Sequence, residues 1–221
     1  MTSLELVVAR YAEDLSWLRR VPKAVRVTVY NKGVDPGPGV ALPNIGREAH
    51  TYLYHIVTRY DDLADTTVFC QGKPFDHVPD LHKTLRKLAD GDLLIDGFLW
   101  LGFVIDRDDR TGSLLFQNWT KNTDHHPLPL GAFWKALWGE AEVDTCVFYP
   151  GGNFMITRDR VRSRPRAFYE KALRISEDLA DAAHCFERVW DRVFGVSGIP
   201  EQHRDGPFPV YFKPIRRLQS L

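Results

Sequence analysis

The sequence predicts an α/β domain built on a mostly parallel sheet with helices on its flanks, and three observations carry that prediction. Strand-like and helix-like segments alternate from Leu4 to Cys70. The run from Thr66 to Cys70 is short, apolar and β-branched, as a buried strand is. Ahead of it, Ile45, Ala49, Tyr52, Leu53, Ile56, Val57 and Tyr60 recur at helical spacing, which marks one buried helix face. Alternation of this kind implies parallel strands joined by right-handed crossovers.

The elements follow in order. Leu4 to Ala9 reads as the first strand and runs into Arg10, Tyr11, Ala12, Glu13 and Asp14. A short helix carrying Leu15, Trp17 and Leu18 comes next, then a second strand from Val25 to Tyr30 that ends in Asn31-Lys32-Gly33. Asp35-Pro-Gly-Pro-Gly39 is a loop, since neither a helix nor a strand ladder accommodates it. Pro43, Asn44 and Gly46 form a turn suited to starting the central helix. Beyond the Thr66 to Cys70 strand, Asp80 to Leu88 is an amphipathic helix with Leu81, Leu85 and Leu88 on one face. Leu99 to Ile105 is expected to be one strand, Asp106 to Gly112 a charged turn, and Asn118 to Leu130 a polar loop holding His125-His126. Phe133, Leu137 and Trp138 indicate a short helix. Thr145 to Tyr149 is a strand leading to Pro150-Gly-Gly-Asn153, and Phe154 to Thr157 is another short strand. Ser163 and Pro165 open a helix that runs through Arg174. The last helix extends from about Asp178 to Phe194, with Leu179, Ala183, Phe186, Val189, Trp190 and Val193 as its apolar stripe and Gly195 as its stop. From Pro200 the chain is rich in proline and basic residues, so 200–221 is expected to be a surface tail on a single domain spanning 1–221.

A length of 221 residues suits one such domain. The 29 lysines and arginines balance the 29 aspartates and glutamates, which argues against a nucleic-acid binder while leaving room for a local basic pocket. Cys70, Cys146 and Cys185 are widely spaced in apolar contexts and read as small core residues of a reduced compartment, not as a disulfide frame or a zinc site. The opening Met-Thr-Ser-Leu-Glu lacks the basic and apolar regions of a signal peptide. No apolar run is long enough to span a bilayer. These features lead us to expect a cytoplasmic protein, with its oligomeric state left open.

The candidate site residues cluster where strands end. Arg10-Tyr11, Asn31-Lys32 and the segment from Gln71 to His77 each follow an expected parallel strand, and such carboxyl ends converge on the sheet edge where ligands bind. Arginine and lysine there suit a phosphate, and the amides of Gly46 and Arg47 at a helix start add partial positive charge. The alternative is that Arg10, Lys32 and Arg47 are surface residues pairing with Glu13, Asp35 and Glu48. Asp76 beside His77 offers a carboxylate and an imidazole to a divalent metal bridging phosphates; a helix cap or an ion pair with Lys73 is the alternative. His125-His126 is a weaker candidate, since adjacent loop histidines usually point apart. His184, Glu187 and Asp191 share one helix face. Glu187 adjoins Phe186 and Trp190, whose apolar surfaces are expected to raise its pKa toward that of a general base. A salt-bridged face including Arg188 is the plainer reading.

Several segments together resemble a family of fungal and bacterial proteins of unknown function. They are Val7 to Leu18, Val29 to Gly33, Leu42 to Leu53, Thr67 to His77, Gly152 to Glu170 and Phe186 to Gly195. The order of elements also resembles, more distantly, GT-A glycosyltransferases of the family-2 type. That second resemblance implies a GT-A-like twisted mixed sheet. In it, Val7 to Asp14 stands for the first strand and donor-binding turn, and Tyr30 to Lys32 for the nucleoside-contacting strand end. Cys70 to Asp76 stands where a metal-binding Asp-x-Asp would lie, Gly151-Gly152 to Thr157 for the acceptor-side strand, and Glu187 for the acidic residue acting as base. The chain departs from that pattern in having the single Asp76. The implied function is a nucleotide-sugar-dependent glycosyltransferase acting on a small-molecule or glycan hydroxyl. Arg10, Tyr11, Asn31, Lys32, Asn44, Arg47, Gln71 and His77 would hold the nucleotide-sugar donor. Asp76, with or without Mg or Mn, would face the diphosphate, and Glu187 would deprotonate the acceptor. A non-catalytic sugar-nucleotide-binding protein, or an enzyme of small-molecule biosynthesis catalysing a different transfer, is the alternative.

Overall fold

The structure, a computed structural model, describes residues 2–35, 37–139 and 144–212. In chain order the elements are β1 (Leu4–Arg10), β2 (Val25–Asn31), β3 (Val40–Ala41), α1 (Arg47–Arg59), β4 (Thr66–Gln71), α2 (Leu81–Asp90), β5 (Phe98–Trp100), β6 (Val104–Asp109), α3 (Leu130–Trp138), β7 (Thr145–Phe148), β8 (Phe154–Thr157), α4 (Arg158–Arg162), α5 (Arg166–Asp178), α6 (Ala182–Val193) and β9 (Val210–Tyr211). A six-stranded sheet runs in the order β3-β2-β1-β4-β8-β5, and a three-stranded sheet runs β7-β6-β9. β1 pairs parallel with both β2 and β4, as the alternation predicts, and β3 extends the parallel set. β8 is antiparallel to β4 and to β5, so the large sheet is mixed and mostly parallel.

Period-two alternation in β1 divides the core. Leu6 and Val8, with Val68 and Cys70, meet Leu81, Leu85 and Leu88 of α2 on one face. Val7 and Ala9, with Phe69, meet Ala49, Tyr52, Leu53 and Ile56 of α1 on the other, where Phe186, Val189, Trp190 and Val193 of α6 complete the packing. The three cysteine thiols are free and buried. No described helix is long and apolar enough to cross a membrane.

Several elements depart from expectation. The run from Leu99 to Ile105 divides: β5 stays in the large sheet, and β6 crosses to the small one. Gly102 permits the crossing, because a Cβ there would lie 2.9 Å from Cδ1 of Tyr149. The expected charged turn begins as strand, since Asp106 to Asp109 pair with β7. The helix around Trp17 is a single 3-10 turn, Ser16–Arg20. Of the expected tail, Val210–Tyr211 forms an edge strand on β6, and 213–221 lies outside the described residues.

The buried face of α1 also carries two histidines. Burial pushes His50 down to about 4, with Lys32 adding to the effect. Burial likewise pushes His55 to about 4 against the opposing pull of Glu5. A histidine whose folded pKa lies below its unfolded 6.5 contributes stability that is lost as pH falls from that value toward 4. Asp191, raised to about 6 mainly by burial, acts in the opposite direction. The ring proton signals of His50 and His55 are expected to titrate near pH 4 by NMR. Midpoints near 6.5 would mean that both rings are hydrated.

Candidate functional site

Arg10, Asn31 and Gln71 are the last residues of β1, β2 and β4. Strand register places Arg10 opposite Asn31 and Ala9 opposite Gln71, so the three strands end together. A cleft of about 340 Å³ opens at that edge, lined by Ala9, Arg10, Tyr11, Glu13, Lys32, Asn44, Arg47, Glu48, Gln71 and Lys73. Six of the eight residues expected to hold a donor therefore share one cleft; Asn31, which accepts from Arg10, and His77 are not in its lining.

The cations in this wall have different tasks. Arg10 is only 8% exposed, and its guanidinium is fully engaged. It grips Asp35 through both terminal nitrogens at 3.2 and 2.7 Å, Asn31 Oδ1 at 2.7 Å and the Glu13 carbonyl at 3.1 Å. Lys32 is also buried, and its ammonium donates to the carbonyls of Ile45 and Arg47, the latter at 2.5 Å. Burial lowers its pKa to about 8, with Glu48 opposing the shift. These two residues are struts that fix the loop after β2 and the start of α1. The start of α1 needs such support: Gly46 and Arg47 both have positive φ, and no side chain caps the helix, Asn44 included. Arg47 and Lys73 are the cations with reach, their side chains being 53% and 69% exposed. Arg47 lies 3.7 Å from Glu48 and 5.9 Å from the centre of the Trp119 ring.

Asp76 pairs with Lys73 at 3.1 Å, the alternative weighed for it, and is not part of the cleft lining. No group of three or more His, Cys, Asp or Glu among the described residues could hold a metal ion. A divalent cation bridging phosphates needs several oxygen ligands, so the residues from Gln71 to His77 do not fit one. His77 instead packs its ring beneath Gly151. His125 and His126 also point to different partners, the Gln117 carbonyl and the pair Asp124 and Asp181.

Glu187 does not carry the raised pKa expected of it. Burial does push its pKa up, as expected, but His184, Arg188 and the Gly151 amide outweigh that effect and hold the carboxyl down at about 2. The amide donates at 2.5 Å, Arg188 at 3.4 Å, and His184 Nδ1 stands at 3.8 Å. A carboxylate this well satisfied is a weak base. Its neighbour Glu48, assigned only an ion pair by the sequence, lines the cleft and moves the other way: burial raises its pKa, Arg47 opposes and the charge of Glu187 adds. Two carboxyls in one site with oppositely shifted titrations are the arrangement from which acid and base roles arise. One turn beyond Glu48, the Tyr52 hydroxyl is buried with no hydrogen-bond partner among the described residues.

Among solved structures, one described as CMP:2-keto-3-deoxy-manno-octonic acid synthetase complexed with CTP is similar to this chain at 12% identity. The alignment covers 79% of this chain and 83% of that one, with a TM-score of 0.33, a likeness too weak to speak to ligand or mechanism. No curated protein sequence matches the chain. A family model does match, over residues 6–204, and by that match the chain belongs to the family described as "Protein of unknown function (DUF3431)".

Proposed function

We propose that the cleft binds a nucleotide-sugar donor and that the chain transfers the sugar to a small-molecule or glycan hydroxyl. The observation that carries this reading is position: two exposed cations, Arg47 and Lys73, face a cleft at the joint carboxyl ends of three parallel strands, where α/β sheets hold their ligands. Arg47 and Lys73 bind the diphosphate, Tyr11 offers its exposed ring at the mouth, and Asn44 and Gln71 supply amide groups. Arg10, Asn31 and Lys32 keep the walls in place, and His77 supports the Gly151 turn. The two cations stabilise the leaving diphosphate by charge, and no step is assigned to a metal. The free, buried thiols accord with a reducing compartment, and we place the reaction in the cytoplasm.

The second reading, a non-catalytic sugar-nucleotide-binding protein, is favoured by one observation: Arg10 and Lys32 are spent on structure, leaving fewer groups for chemistry. A thermal-shift screen against nucleoside diphosphates and their sugars, followed by an assay for released diphosphate, separates the two. A shift with turnover supports transfer, a shift without turnover supports binding alone, and no shift with any nucleotide overturns both. Arg47→Ala is expected to weaken nucleotide binding by about tenfold or more, the usual weight of a hydrogen bond to a charged group. Its melting temperature should barely change, because an exposed ion pair contributes little to stability. Unchanged affinity with a large loss of stability would make Arg47 a structural residue.

A further inference from the structure

Resting on that reading, we propose that Glu48 is the catalytic residue that takes the acceptor's proton, and that Glu187 is a positioning residue that anchors the Gly151-Gly152 turn and keeps a fixed negative charge near Glu48. The two carboxyls approach one turn from two helices. Glu187 Oε1 accepts the Gly151 amide at 2.5 Å. Glu48 Oε1 lies 3.9 Å from the place a Cβ on Gly152 would occupy.

Their surroundings divide the work. Glu187 is met by an amide, a guanidinium and an imidazole, and each favours the anion and occupies its lone pairs. Glu48 has Arg47 at 3.7 Å, feels Lys32 and His184 only through their charge, and is the member of the pair that lines the cleft. A general base must reach the hydroxyl it deprotonates; the cleft-facing carboxyl can, and the pinned one is already engaged. Tyr52, on the same face of α1 one turn on, feels the charge of both carboxyls and brings a buried hydroxyl with no other bond. The opposite titration shifts of the two carboxyls agree with this division. In the transfer, the acceptor oxygen bonds to the anomeric carbon while the bond from that carbon to the phosphate oxygen breaks. The nucleoside diphosphate leaves with the electron pair, and the acceptor's proton passes to the Glu48 carboxylate and then to water.

The test uses the full chain with Glu48→Gln and Glu187→Gln, first without ligand. An acid whose folded pKa lies above its unfolded value loses stability as pH rises through that window. Glu48→Gln is therefore expected to gain stability relative to the parent as pH rises from about 4.5, read as a growing difference in melting temperature. Glu187→Gln is expected to lose stability above about pH 4.5, because a depressed carboxylate contributes only where the unfolded group would also be charged. A constant difference for Glu48→Gln across pH would overturn the division. With a donor that shifts the melting temperature, Glu48→Gln should cut turnover by about a hundredfold or more while the donor still binds. Glu187→Gln should move the acidic limb of the pH-rate profile to lower pH, since it removes a like charge beside the base; a merely structural residue would leave that limb in place. Turnover by the parent that survives in Glu48→Gln refutes the catalytic role alone. Absence of any turnover by the parent refutes the transfer reading and that role together, and the ligand-free comparison still decides which carboxyl carries the mobile proton.

Discussion

Arg188→Met is expected to cost about 3–5 kcal/mol, the scale for removing one partner of a buried ion pair. Arg188 is 3% exposed and Asp108 is fully buried. The guanidinium donates to Asp108 Oδ2 through Nε at 2.9 Å and Nη2 at 2.7 Å, and to the His184 carbonyl at 2.8 Å. Asp108 also accepts the amides of Asp109, Leu115 and Phe116. This pair fastens β6 and the following loop to α6, one residue from Glu187. Without the guanidinium, a buried anion would be left with amide donors alone. In urea denaturation the variant should show the full loss, and its melting temperature should fall by about 10 °C. Adding Asp108→Asn should recover part of that loss, because the uncompensated charge disappears with the carboxylate. A loss below about 1 kcal/mol in Arg188→Met would show that the pair contributes nothing beyond packing.

The contrast between Arg188 and α1 shows which parts of this molecule are legible in its sequence. The buried face of α1 and the parallel set β1, β2 and β4 rest on local periodicity, and Ala49, Tyr52, Leu53, Ile56 and Val57 are buried where the spacing requires. At the ends of that pattern Ile45 is exposed and Tyr60 only partly covered. The break between β5 and β6 has no local signal, because an apolar run does not reveal which sheet its neighbours belong to. Leu101 is held by the Asn153 carbonyl, far along the chain. The same limit applies to Asp108, whose partner lies 80 residues away. At the cleft, a charged residue at a strand end reads alike whether it meets a ligand or a loop, so the roles of Arg10 and Arg47 separate only with burial and partners in view. In the sequence Glu48 reads only as an ion-pair partner for Arg47, and an acid in the first turn of a helix is already accounted for by the helix dipole. For Glu187 the apolar neighbours were visible in the sequence and the desolvation is real; the Gly151 amide that helps reverse it is 36 residues away.

Gly151→Ala and Gly152→Ala are expected to differ sharply, although the two glycines are adjacent and both have positive φ, at 98° and 61°. At Gly151 a Cβ would stand 2.4 Å from Cγ of His77 and 2.7 Å from Cδ2, inside the ring's van der Waals surface. Either the imidazole or the turn must move, and φ of 98° lies outside the left-handed region that an alanine can enter. Backbone strain of about 1–3 kcal/mol combines with overpacking of similar size. At Gly152 the Cβ would make ordinary contacts, 3.6 Å to the Trp190 indole nitrogen and 3.9 Å to Glu48 Oε1, and its φ is left-handed. About 1 kcal/mol is the expected cost there. Combining His77→Ala with Gly151→Ala removes the clash and leaves the strain, so the double variant should recover roughly 1 kcal/mol or more relative to the sum of the single variants. Because the displaced amide is the one that holds Glu187, Gly151→Ala should also raise the pKa of that carboxyl, visible as a shift of its ¹³C titration toward the ordinary range, whereas Gly152→Ala should not. Equal costs at the two glycines, or a Glu187 titration that ignores Gly151→Ala, would show that the turn does not control the carboxylate.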